Sequence, residues 1–187
     1  FVSRYIFPYT GAYPSPDPLA ENHAWYGLGD VDWTPGNVTA ITNYFNLPGN
    51  ERYYTKSISD DVDIFVLSTS TDEPDGNTYN STQGAWLQAA LAASTKRWKI
   101  VFAAHASWME NWPFAAWGAH AVVATGANIF EHITLEGNIP LFVVGTNRES
   151  SADMATLGTP VSGSVFRYND EPGLFYIDAN AYSLQFW

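Results

Sequence analysis

Two short apolar runs limit what this 187-residue chain can become. Lys99–Ala104 (KIVFAA) and Ala119–Ala124 (AHAVVA) are too short for buried helices and too continuously apolar for strands with one wet face. Runs of that kind are strands covered on both sides, the habit of a parallel sheet. Each delivers a loop: the first ends at His105, the second at Thr125-Gly126-Ala127-Asn128. Ligands of open α/β sheets bind outside the carboxyl ends of the strands. Any site is therefore expected where these two loops meet, and His105 is the histidine that marks it.

The flanking segments fit the same architecture. Asp63–Ser68 (DIFVLS) and Ile139–Thr146 read as further buried strands, and Arg52–Ile58 as a strand entered from the Pro48-Gly49 turn. A helix is expected over Thr82–Ala93, because Trp86, Leu87, Ala90 and Leu91 recur at helical spacing. Asn80 and Gln83 stand at capping-box spacing before it, and Lys96-Arg97 place positive charge at its far end. The loop Thr69–Tyr79 holds three acids but not the spacing of a calcium loop, and is expected to be exposed. Residues 1–24, rich in Pro, Tyr and Gly, form an irregular lead segment. Residues 164–187 hold three strands, Val165–Tyr168, Gly173–Asp178 and Ser183–Trp187, separated by turn signals that suggest antiparallel hairpins.

Composition excludes several classes of function. A net charge of −11 opposes non-specific binding to nucleic acid or to anionic membranes. No run reaches transmembrane length. The absence of cysteine removes disulfides and thiolate metal sites. Asn37-Val38-Thr39 and Asn80-Ser81-Thr82 match the N-glycosylation pattern, so Asn37 and Asn80 are candidate modification sites in an exported protein. An extracellular or cell-surface location is the corresponding expectation.

Several longer stretches together resemble one family. Ala104-His105-Ala106-Ser107-Trp108, then Trp117-Gly118-Ala119-His120-Ala121-Val122-Val123, follow the order of motifs in calcineurin-like metallophosphoesterases of the purple-acid-phosphatase type. So do Leu28-Gly29-Asp30-Val31-Asp32-Trp33, Leu47-Pro48-Gly49-Asn50-Glu51-Arg52-Tyr53-Tyr54 and Ile139-Pro140-Leu141-Phe142-Val143-Val144-Gly145. The resemblance implies a single α/β domain over residues 1–187, a two-sheet sandwich with flanking helices, incomplete on the side of the family's first strands. It also implies a binuclear Fe, Zn or Mn site. His105 keeps a ligand position and Asp30 stands where the family has Asn. Val31 and Gly126 replace histidines with side chains that cannot donate, and Asn128 replaces another with a weak donor. His132 stands at what would be a helix entry, where the family has Arg. The family's first motifs have no counterpart in the chain.

The resemblance therefore implies a scaffold whose metal centre does not assemble, with no cofactor, and with His105 and Asp30 as vestigial ligands. The expected role is a structural, self-assembling subunit, possibly of filaments. Without the family's first strands, the apolar surface of DIFVLS and KIVFAA would face water until another chain segment covered it, and Ser183–Trp187 would suit edge-to-edge addition. Two alternatives remain open at this point: a metal-free binding module, for instance for glycans, using Trp108, Trp112 and Trp117; or a phosphoesterase whose first metal motifs lie on a preceding segment.

Overall fold

The computed structural model describes residues 25–34, 37–45, 47–106, 109, 111–125, 129–145, 157–171 and 173–187. The lead segment 1–24 lies outside the described residues. The strands are β1 (Tyr54–Ser57), β2 (Val62–Val66), β3 (Trp98–Ala103), β4 (Ala121–Ala124), β5 (Phe130–Thr134), β6 (Pro140–Val143), β7 (Ser164–Tyr168), β8 (Ile177–Ala179) and β9 (Leu184–Phe186). The helices are α1 (Asn37–Tyr44), α2 (Thr82–Ala93) and α3 (Phe114–Trp117), with 3₁₀ turns at Asp30–Trp33 and Glu136–Asn138. Seven strands form one mixed sheet in the order β1-β2-β3-β4-β6-β5-β7, and β8 and β9 form a separate two-stranded sheet. The protein is thus α/β, with a large mixed sheet, a small second sheet and few helices.

The central four strands, β2, β3, β4 and β6, are parallel, as their continuous apolar runs require. On one face of the sheet, Phe65, Val101, Val122, Leu141 and Val143 pack against Leu87 and Leu91 of α2 and Phe114 of α3. Helix α2 occupies the span expected from its periodicity, with Leu87 and Leu91 fully buried. On the other face, Val62, Ile100, Ala121 and Val123 meet Phe175, Ile177, Ala179, Leu184 and Phe186 of the C-terminal hairpin. A third cluster, Phe45, Leu47, Tyr54 and Val66, closes the β1 side. Trp98 Nε1 donates to the Asn180 carbonyl at 2.7 Å, which pins the hairpin turn to the sheet.

Several expectations are corrected. The apolar surfaces of DIFVLS and KIVFAA do not face water: Phe65, Leu67 and Val101 are fully buried and Val66 and Ile100 nearly so. The hairpin and helices α2 and α3 of the same chain cover them. The terminal residues fold back onto their own sheet through the side chains of Leu184 and Phe186, and the outer backbone edge of β9 has no strand partner among the described residues. The three C-terminal strands are not successive hairpins, because β7 pairs with β5 and only β8 and β9 pair with each other. His132 sits in β5, not at a helix entry, stacked on Phe142 of the neighbouring β6. The second sheet is a single hairpin, so the sandwich is two-layered only where that hairpin lies.

The capping of α2 also differs. Ser81 is the N-cap, its Oγ accepting from Gly84 N at 3.1 Å, while Asn80 lies one residue outside. Gln83 is spent elsewhere: it accepts from Ser68 N and donates to the carbonyls of Ser68 and Gly76 at 2.9, 2.8 and 2.7 Å. At the C-terminus the positive charge comes from Lys99 Nζ, 2.8 Å from the Leu91 carbonyl, because Lys96 and Arg97 lie beyond the last turn. The acidic loop after β2 is exposed at Thr71, Asp72, Pro74, Thr78 and Tyr79 but not throughout. Thr69, Ser70 and Glu73 are buried, and Arg52 neutralises the acids through Glu73 Oε1 at 3.1 Å and through Asp75.

Candidate functional site

The site is assembled from the segment before α1 and from the carboxyl ends of β2, β3 and β4. Residues 25–33 run beside those ends because two glycines allow close approach. A Cβ on Gly27 would meet Val66 Cγ1 at 3.1 Å, and one on Gly29 would meet Ala104 Cβ at 3.3 Å. Leu28 between them is fully buried and anchors the segment. Hydrogen bonds complete the attachment: Tyr54 OH donates to the Tyr26 carbonyl at 2.7 Å, and Trp33 Nε1 to Ser68 Oγ at 3.1 Å.

The 3₁₀ turn then sets its two acids in different roles. Asp32 is structural, its carboxylate accepting from Tyr26 OH at 2.9 Å and from Gly29 N at 2.8 Å. Asp30 is more exposed, with its side chain 52% accessible, and its Oδ2 lies 2.9 Å from His105 Nε2. The two positions read from sequence as vestigial ligands are thus brought together, from residues 75 apart in the chain. Thr125, at the end of β4, donates through Oγ1 to the Ala104 carbonyl at 3.1 Å, so the two loops do meet at one crevice.

Not every expected site residue can be placed. Gly126, Asn128 and Trp108 lie outside the described residues. Val31 lies within the 3₁₀ turn and Asn37 opens α1. Asn80 is exposed, its Oδ1 accepting from Thr78 Oγ1 at 2.8 Å. Trp112 is buried, packed between Phe114 and Trp117 at ring distances of 5.8 and 5.9 Å, so it offers no face to a glycan. His120 is exposed; its Nδ1 accepts from Lys99 N at 3.1 Å and its ring meets Trp98 edge-on. Burial and the Lys99 charge hold its pKa below the usual histidine value.

The crevice brings together, among the described residues, the Asp30 carboxylate and the His105 imidazole. Among the described residues, no group of three or more histidine, aspartate or glutamate side chains converges to hold a metal. A four-coordinate zinc site needs more donors than this pair supplies. A second concavity, of about 470 Å³, lies on the opposite side of the hairpin from α1, lined by Phe142, Phe166, Tyr168, Phe175, Phe186 and Trp187 among others. Sequence reading missed it, because it arises where β5 and β7 extend past the hairpin that covers the rest of the face. The fold and the crevice define an α/β protein with a mixed seven-stranded sheet and an aspartate–histidine pair at its carboxyl edge. Compared with family models and with curated proteins, the chain matches neither.

Proposed function

We propose that this chain is a metallophosphoesterase-like scaffold, of the purple-acid-phosphatase type, that has lost hydrolysis and acts as a self-assembling structural subunit outside the cell. The motif order from Leu28 to Gly145 supports the family reading, as does the placement of Asp30 and His105 at one crevice. The observation that carries the loss of function is the poverty of donors there. Asp30 and His105 bond each other at 2.9 Å, and the sequence places Gly126 and Asn128 where the family has histidines. Two cations held close enough to clamp a phosphoryl group and activate water need far more than one carboxylate and one imidazole.

The experiment is a phosphatase assay with phosphomonoesters and phosphodiesters in the presence of Mn²⁺, Zn²⁺ or Fe, with metal analysis of the protein as purified. No turnover and no stoichiometric metal is the expected result. Turnover above about 1 s⁻¹, abolished by His105→Ala, overturns the reading. Particle size in solution tests the assembly half of the reading independently of the chemistry.

One observation favours a second reading, in which the crevice holds a single cation. Two ligands bound at about 2.0–2.2 Å to one ion sit roughly 3 Å apart, close to the Asp30–His105 separation. Zinc titration by calorimetry distinguishes the two: saturable binding lost in both Asp30→Asn and His105→Ala supports the cation.

A further inference from the structure

We infer that the exposed outer face of the C-terminal hairpin, together with the groove beside it, is the surface through which two copies of this chain pair about a twofold axis. This deepens the self-assembling reading above and rests on it.

The starting point is the open end of the C-terminal hairpin, which is apolar on both sides. Phe175, Ile177 and Ala179 alternate with Leu174, Tyr176 and Asp178, and the first three turn inward onto the sheet. On β9, Leu184 and Phe186 turn inward while Gln185 and Trp187 turn out. Along the strands the outward residues Asp178 and Gln185 are polar, but at the open end the outward residues are not. Leu174 is 88% exposed, Tyr176 61% and Trp187 71%. Tyr176 and Trp187 are directly opposed, each backbone N–H donating to the other's carbonyl at 2.9 Å, so the three side chains form one ridge at the open end of the hairpin. An exposed apolar ridge of this kind, set beside an apolar groove, marks a contact surface, and among the described residues nothing covers it.

Beside the ridge lies the groove of about 470 Å³. Its floor is a ring cluster, with Phe142 4.4 Å from Phe186 and 4.9 Å from Phe175, and Phe166 of β7 forms its far wall at 58% exposure. Its walls are mostly apolar and offer water few hydrogen bonds. A ridge next to a hollow of the same chemistry is the arrangement a twofold interface uses, since each copy's ridge enters the other's hollow.

The exposed area suits a second copy as the occupant, while charge opposes it and makes the pairing depend on salt. With large aromatics burying about 150–250 Å² each, the exposed parts of Phe166, Leu174, Tyr176 and Trp187 present on the order of 500 Å² per copy. A pair then buries on the order of 1,000 Å² before the groove walls are added, which reaches the range of specific interfaces. The charges near the patch are acidic: Glu171 lines the groove, Asp178 lies further along the hairpin, and Glu131 is already matched by Arg167 at 3.4 Å. Two copies each carrying −11 repel, so pairing strengthens as salt screens them.

The test is sedimentation of the chain between about 1 and about 100 µM, a range that brackets ordinary self-association. The expected result is a dimer, tighter at higher salt, whose dissociation constant rises at least about tenfold in Leu174→Glu and in Trp187→Ser. Ile58→Ser, at a 50% exposed position in the β1–β2 turn, leaves it unchanged. Hydrogen exchange of the unsubstituted protein provides a reading free of any effect of substitution on folding: protection across Gly173–Trp187 rises with protein concentration. Self-association that is indifferent to both variants, with concentration-independent exchange there, overturns this surface and leaves the assembly reading standing. A monomer at the highest concentration overturns both.

Discussion

His105 Nε2 and Asp30 Oδ2 lie 2.9 Å apart, and neither atom is deeply buried: the histidine side chain is 30% exposed and the aspartate 52%. A contact so open to water contributes little, because solvent competes for both groups and both side chains lose freedom. His105→Ala is therefore expected to change the urea-unfolding free energy by less than about 1 kcal/mol. A much larger loss would mean that the pair is a folding element rather than the remnant of a site.

Gln83 is a different kind of polar residue. It is fully buried and joins the end of β2 to α2 and to the acidic loop through three hydrogen bonds. Gln83→Ala leaves Ser68 N–H and two carbonyls without their partner, at a cost of about 2–3 kcal/mol. Equilibrium denaturation measures it, and a loss under 0.5 kcal/mol, on the order of a surface substitution, would show that water replaces the amide without strain.

Gly84 lies in the first turn of α2, where replacement by alanine would ordinarily gain about 1 kcal/mol of helix propensity. The sign is expected to reverse here. A Cβ at Gly84 would stand 2.2 Å from the Tyr79 carbonyl oxygen, a backbone atom, and the loop from Gly76 to Ser81 would have to move. Gly84→Ala should lower the melting temperature, with a cost of about 1–3 kcal/mol; a raised melting temperature would refute the close approach.

His120 makes the protein sensitive to mild acid. Burial first, and the Lys99 charge second, hold its folded pKa below the unfolded value of about 6.5. The unfolded chain therefore takes up the proton first as pH falls. The stability that neutral His120 contributes is fully present above that unfolded value and is lost as pH drops toward the folded one. Protonation also removes the Nδ1 acceptor for Lys99 N–H. The fall in unfolding midpoint between pH 7.5 and pH 5, a span of roughly that titration, should be smaller in His120→Asn than in the unsubstituted protein.

Much of this molecule was legible in its sequence. The runs DIFVLS, KIVFAA and AVVA became β2, β3 and β4 within a residue or two of their expected limits, and α2 fell where its apolar spacing put it. Those signals are local: whether a short segment can bury both faces, or one helical stripe, is written in its own residues. Asp30 and His105 were also found from their motifs, though nothing in either stretch gives the distance between them.

Tertiary structure decided what depends on distant partners. FEHIT sets two adjacent polar residues between its apolar ones and buries Glu131 with Ile133, so no alternation announces a strand; it became β5 because β6 and β7 offer edges on both sides of it. Glu73 is buried because Arg52, 21 residues earlier, meets it. The C-terminal hairpin lies across Ile100 and Val123 rather than beside β7, because its inward Phe175, Ile177, Leu184 and Phe186 meet an apolar sheet face there. Local pattern fixes which segments must be buried; which surfaces do the burying is settled only when residues far apart in the chain compete for the same faces.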